Sequence, residues 1–190
     1  MFALNLPNLL TVLRILLVPV LVVALLGGSA DGDVLAAVVF ALASVTDFAD
    51  GYLARSRNSV TSFGKLMDPL ADKLLIVAAL ISLVSLHRLP AWVAMVIITR
   101  ELAVTVARLG AGQAGVVVEA RRAGKVKTAL QIASILALIA VKHHPLAVDV
   151  LVYVTVVVTV LSGLDFFFGL RRRMQEAESL RVLADRTRAP

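Results

Sequence analysis

A chain of 190 residues that is 59% hydrophobic, with a mean hydropathy of +0.92, holds more apolar surface than a soluble core of this length buries, since soluble domains sit near ~45–50% apolar. The formal net charge is +6, but the basic residues lie between apolar runs with no aromatic residues interleaved. That pattern excludes a nucleic-acid surface and fits membrane topology and anionic lipid headgroups. Cysteine is absent, which excludes disulfides and thiolate metal ligands.

Taken in chain order, Met1–Asn8 has the character of a short interfacial segment, with Pro7 and Asn8 opening the first helix. The first apolar segment is Leu9–Leu26. No Lys or Arg precedes it and Arg14 lies inside it, so it is expected to be a retained helix and not a cleaved signal. Gly27, Gly28 and Ser29 break the pattern. Apolar segments then follow at Val34–Leu53, Pro69–Leu86, Pro90–Leu109, Val126–Val141 and Leu146–Leu170. Breaks fall at Arg55–Gly64, His87–Pro90, Gly110–Gly124 and Lys142–Pro145. Each segment is near the ~20 residues that a spanning helix requires. Backbone groups in lipid must be satisfied within the segment, so helices are expected; the alternation of a transmembrane barrel is missing. The predicted fold is an all-α integral membrane protein, a bundle of six transmembrane helices. Residues 1–170 form the membrane domain and 171–190 a charged cytoplasmic tail.

Orientation follows from the basic residues. With both termini cytoplasmic, only Arg88 and Lys142 fall in outer loops, and the other 17 of 19 Lys and Arg lie on the inner side. This is a strong positive-inside bias. His87, His143 and His144 fall in outer loops and are expected to be ordinary exposed histidines.

The acids are the informative residues, because a charge at the centre of a membrane helix costs about 2.5–3.5 kcal/mol or more. Asp47 and Asp50 close the second segment, and Asp68 and Asp72 open the third. Asp47, Asp50, Gly51 and Ala54 share one helical face, as do Gly64, Asp68 and Asp72 on the next helix. Only a short stretch separates the two helices, so they are expected to be antiparallel neighbours with their acids at one depth. Four converging carboxylates make a hard-cation site, with Mg²⁺ or Mn²⁺ the natural occupant. Gly51 and Ala54 leave room beside the acids. Arg55 and Lys65 flank them and suit phosphate oxygens. Together these residues point to a nucleotide diphosphate. The plainer reading, acids paired with basic residues to hold the bundle, explains one Asp better than four on two facing helices; Lys65 and Lys73 fit a structural, snorkelling role.

These residues carry a resemblance. Asp47, Asp50, Gly51, Ala54 and Arg55, followed at the right spacing by Gly64, Asp68 and Asp72, look like the complete signature of the CDP-alcohol phosphatidyltransferases. Further strings are similar to the branch of bacterial phosphatidylglycerophosphate synthases. They are Asn5-Leu6-Pro7-Asn8 with Thr11 and Arg14, Thr99-Arg100-Glu101-Leu102, Gly124-Lys125-Val126-Lys127-Thr128, and Ser162-Gly163-Leu164-Asp165. Phe166 departs from the pattern, standing where a tyrosine is expected.

The resemblance implies six membrane helices, a homodimer, and an active site opening to the cytoplasm from the inner (cytoplasmic) membrane. It implies CDP-diacylglycerol as donor and sn-glycerol 3-phosphate as acceptor, with phosphatidylglycerol phosphate and CMP as products. Asp47, Asp50 and Asp68 would hold the metal, with Asp72 completing the acid set and acting as general base. Asp50, Gly51, Ala54, Arg55, Gly64 and Lys65 would contact the CDP-lipid. The acceptor phosphate has candidates in Arg100, Arg108, Arg121, Arg122, Lys125 and Lys127. Arg100 stands out as a mid-span arginine in want of an anionic partner; Glu101 follows it but points about 100° away around a helix. Rival readings keep the chemistry and change the acceptor to inositol phosphate or phosphatidylglycerol. A divalent-cation transporter stands outside the class, but neither paired repeats nor broken helices are visible.

Overall fold

The computed structural model describes the backbone of residues 6–57, 62–113, 116, 122–141 and 145–186, and their side chains outside 6–11, 47–57, 62–72, 122–123 and 180–186. The described residues form six helices: α1 (Leu6–Leu26), α2 (Ala30–Arg57), α3 (Ser62–Ser85), α4 (Ala91–Gln113), α5 (Arg122–Ala140) and α6 (Leu146–Arg186). Each expected apolar segment is a helix, and the boundaries differ in an instructive way. α1 already begins at Leu6, taking Pro7 and Asn8 into its first turn, where a proline's missing N–H costs little. The interfacial stretch expected over Met1–Asn8 is therefore not separate from the first helix after residue 5. α2 and α3 both extend into the expected break, and α6 continues as one helix past Leu170. Hydropathy marks where lipid begins, whereas helical hydrogen bonds continue for as long as the residues tolerate them.

The turns have identifiable causes. Gly28 adopts a left-handed φ of 66° after α1, which a residue without Cβ takes at no steric cost. Ser29 then caps α2: its Oγ accepts from Gly32 N–H at 2.9 Å. Asp31 and Asp33 follow in the first turn of α2, and Asp149 in that of α6, where helix dipoles favour acids. α3 closes in a Schellman arrangement, with Arg88 N–H donating to Leu83 O at 2.9 Å and His87 N–H to Val84 O at 3.0 Å. His87 occupies the left-handed position at φ 55°, and its side chain is exposed, as expected.

α1 packs against α2 and α3, α2 also against α5 and α3, α4 against α3 and α6, and α5 against α6 and α3. Leu21, Leu25, Phe40, Leu80, Leu83, Val93, Ile135 and Ile139 form the fully buried apolar centre. At one end of the bundle Arg88 grips Asp33 through two bonds of 3.0 Å and also donates to Ile139 O, so that α2, the α3–α4 turn and α5 are clasped together. Near that end Trp92 of α4 stacks on Tyr153 of α6, with ring centroids 6.1 Å apart.

The surface is apolar and part of the interior is polar. Val23, Leu42, Val45, Met95, Val106 and Phe168 are largely exposed, while Arg14, Glu101, Lys127, Gln131, Thr155, Thr159 and Ser162 are buried. An apolar exterior of this extent is a liability in water and ordinary in lipid. Over Leu146–Ser179, α6 is long and apolar enough to cross a membrane; the apolar stretches Val12–Leu26 and Lys73–Ser85 are shorter. The described elements are thus all helices, with an exterior suited to lipid and one helix long and apolar enough to cross a membrane.

Candidate active site

The two halves of the acidic signature lie on consecutive helices. Asp47, Asp50, Gly51, Ala54 and Arg55 belong to α2, and Gly64, Lys65, Asp68 and Asp72 to α3. Both stretches are helical along their whole length, so the spacings that put each set on one face apply as read. α2 ends at Arg57 and α3 starts at Ser62; each packs chiefly on α1, and the two meet each other only briefly, so they are not the closely packed antiparallel pair expected from the sequence. The side chains of Asp47, Asp50, Asp68 and Asp72, and with them the expected convergence of the four acids, lie outside the described ones. Among the described residues no group of three or more His, Cys, Asp or Glu gathers to hold a metal. The signature's own donor set, four carboxylates without sulfur or imidazole, suits a hard divalent cation.

Beside the signature the described side chains form a buried charge cluster. Glu101 of α4 is only 2% exposed. Its two carboxylate oxygens accept from Lys73 of α3 and Lys127 of α5, one each. Arg100 Nη1 donates to Glu101 Oε1 at 3.2 Å, and its Nη2 to Ser162 Oγ of α6 at 2.9 Å. Ser162 in turn donates to Thr159 O. One carboxylate thus ties together four helices. The sequence places Arg100 and Glu101 about 100° apart. The structure brings their side-chain ends together because the guanidinium sits on a long, flexible stem. Close approach of α6 is possible because position 163 is glycine: a Cβ there would meet Arg100 Cγ at 3.2 Å.

The predicted phosphate-binding cations separate. Lys127 is buried on Glu101, while Lys125, two residues earlier in α5, is exposed; on a helix such neighbours face nearly opposite ways. Arg108 is exposed at the far end of α4, its guanidinium 5.6 Å from the centre of the Phe166 ring. The departure from tyrosine at 166 therefore still leaves a face for a cation–π contact. Arg121 lies outside the described residues, and Arg122 begins α5. Sequence reasoning missed Glu101 as the centre of this cluster and left Lys73 as a snorkelling residue. The available signal was the trio of strings around Arg100, Lys127 and Ser162, which the fold brings to one place.

A relative from Bacillus subtilis (strain 168), named CDP-diacylglycerol–glycerol-3-phosphate 3-phosphatidyltransferase, is 44% identical across 86% of this chain and 93% of its own. One from Mycobacterium tuberculosis (strain ATCC 25618 / H37Rv), named a probable phosphatidylglycerophosphate synthase, is 42% identical across 85% of this chain and 79% of its own. A third, from Rickettsia felis (strain ATCC VR-1525 / URRWXCal2), shares the first relative's name and is 36% identical across 88% and 96%. Residues 4–161 match the family described as CDP-alcohol phosphatidyltransferase. With the signature intact on two consecutive helices, the chain belongs to the CDP-alcohol phosphatidyltransferase family.

Proposed function

We propose that this chain transfers the phosphatidyl group of CDP-diacylglycerol to sn-glycerol 3-phosphate, releasing CMP and forming phosphatidylglycerol phosphate. The observation that carries the reading is the complete eight-position signature on two consecutive helices, in a chain whose relatives bear the name of this reaction.

The chemistry assigns roles to this chain's residues. A hydroxyl oxygen of the acceptor attacks the phosphorus that bears the diacylglycerol. The bond from that phosphorus to the bridging oxygen breaks, and CMP leaves with the bonding electrons. Asp72 takes the hydroxyl proton. Gly51 and Ala54 border the cytidine, where small residues permit close approach. Arg55 and Lys65 hold diphosphate oxygens. The family generally uses a divalent metal; Asp47, Asp50 and Asp68, with Asp72 alongside, would hold Mg²⁺ or Mn²⁺, which when bound neutralises diphosphate charge. Lys125 and Arg108, both exposed, are accessible to the phosphate of a water-soluble acceptor, with Arg121 as a further candidate; Arg100 and Lys127 would act from the buried cluster.

In this reading all six helices cross the inner membrane, the termini and the active site face the cytoplasm, and the enzyme works as a homodimer. The distribution of Lys and Arg supports the orientation. The test is CMP release by the purified chain with CDP-diacylglycerol and Mg²⁺, offering sn-glycerol 3-phosphate, inositol phosphate and phosphatidylglycerol in turn. Release with the first alone is expected; release only with phosphatidylglycerol overturns the acceptor. Asp72→Asn is expected to slow turnover by about 10²–10⁴-fold, the usual worth of a general base, while CDP-lipid still binds. Chelation of divalent metal is expected to stop the reaction.

A further inference from the structure

We infer that Glu101 is a positioning residue for the transfer reaction, holding α3, and with it the acids of the signature, in working register. The inference rests on the proposed reaction and adds a residue outside the signature. Its basis is the geometry of the charge cluster. Lys73 follows Asp72 directly in α3, and its ammonium is bonded to Glu101 of α4. Holding that ammonium ties α3 to α4 one residue beyond Asp72 and so biases the setting of the helix end that carries Asp68 and Asp72. The opposing anchors are strong. The other carboxylate oxygen of Glu101 is held by Lys127 of α5, and Arg100 joins it while bonded to Ser162 of α6.

Burial makes the arrangement stiff. Glu101 and Lys127 are each 2% exposed at the side chain, and Lys73 is 27% exposed. Three cations surround one carboxylate, so removing its charge leaves like charges facing one another in a poorly hydrated space. Lys73 is the more exposed of the two bonded ammonium groups and has the easier route outward, and its departure removes the tie between α3 and α4 directly beside Asp72. Small errors in placing reactive groups cost rate more than they cost binding.

The test compares wild type with Glu101→Gln, Glu101→Asp, Lys73→Gln and the double variant Glu101→Gln/Lys73→Gln, as full-length protein in lipid nanodiscs. Thermal unfolding gives the folded fraction, and CMP release gives kcat and the KM for each substrate. Half-saturation by Mg²⁺ is measured in the same assay. For folded Glu101→Gln, kcat is expected to fall by about 10-fold to 10²-fold. The KM for CDP-diacylglycerol should stay within about twofold, while Mg²⁺ half-saturation rises; Glu101→Asp should recover part of the loss. Lys73→Gln leaves Glu101 paired with Lys127 and Arg100 and is expected to lose a similar factor in kcat. The double variant removes one anion and one cation together, so it keeps the test available if Glu101→Gln alone fails to fold. A kcat within about twofold of wild type in the folded fraction of any Gln variant overturns the inference. Failure of wild type to use sn-glycerol 3-phosphate strikes the proposed acceptor instead, and the variants are then compared with whichever acceptor releases CMP.

Discussion

A methyl group at position 163 would lie 3.2 Å from Arg100 Cγ, closer than comfortable packing permits, so Arg100 would have to shift away from Ser162. Gly163→Ala is expected to lower kcat several-fold with little change in unfolding temperature. Gly163→Val should cost stability as well, about 1–3 kcal/mol from overpacking; thermal unfolding beside CMP release separates the two effects. Gln131 offers the opposite case. It is fully buried on α5, and neither its amide nitrogen nor its oxygen has a partner among the described residues. Gln131→Met keeps the volume and removes two unsatisfied polar atoms, so a gain of about 1 kcal/mol is expected in thermal unfolding. A loss would show that the amide is hydrogen-bonded through internal water.

Helix ends carry the next set of consequences. His87 terminates α3 in a left-handed conformation that costs a residue with a Cβ about 1–2 kcal/mol relative to its usual backbone. His87→Gly should therefore raise stability by about 1 kcal/mol in thermal unfolding without touching turnover. The Arg88–Asp33 clasp is nearly buried, at 10% and 7% side-chain exposure. Removing one partner of such a pair costs about 3–5 kcal/mol. Asp33→Asn should lower the unfolding temperature sharply, and Asp33→Asn/Arg88→Gln should cost less than the two single changes added together. The existence and order of all six helices could be read from apolar runs, but their ends could not. α2 runs to Arg57 and α3 starts at Ser62, because polar residues such as Arg55, Ser56 and Arg57 continue a helix that hydropathy alone would stop. α6 passes Leu170 for the same reason.

Across the whole molecule, the parts of the site differ in how visible they are. The signature is local: its acids lie within two helices adjacent in sequence, so spacing exposes them. The Glu101 cluster joins residues separated by 28, 26 and 62 positions, and no local pattern announces that they meet. Their charges were visible, and their partners were not. The distribution of Lys and Arg also leads to a prediction for the entire fold. Because the chain has no cysteine, single cysteines report topology cleanly. Ser29→Cys and His87→Cys, both at exposed turns, should react with a membrane-impermeant maleimide added outside intact spheroplasts. Arg172→Cys should react only after lysis. The reverse pattern would invert the orientation and place the signature on the far side from cytoplasmic nucleotide.

The stacked pair at the start of α4 and α6 has a practical consequence. Trp92 is the chain's sole tryptophan, so every photon of indole emission comes from one place, where two helices meet beside Tyr153. The protein therefore carries a built-in optical gauge of that contact, and its emission needs no attached dye to show whether these helices part when substrate arrives at the opposite end.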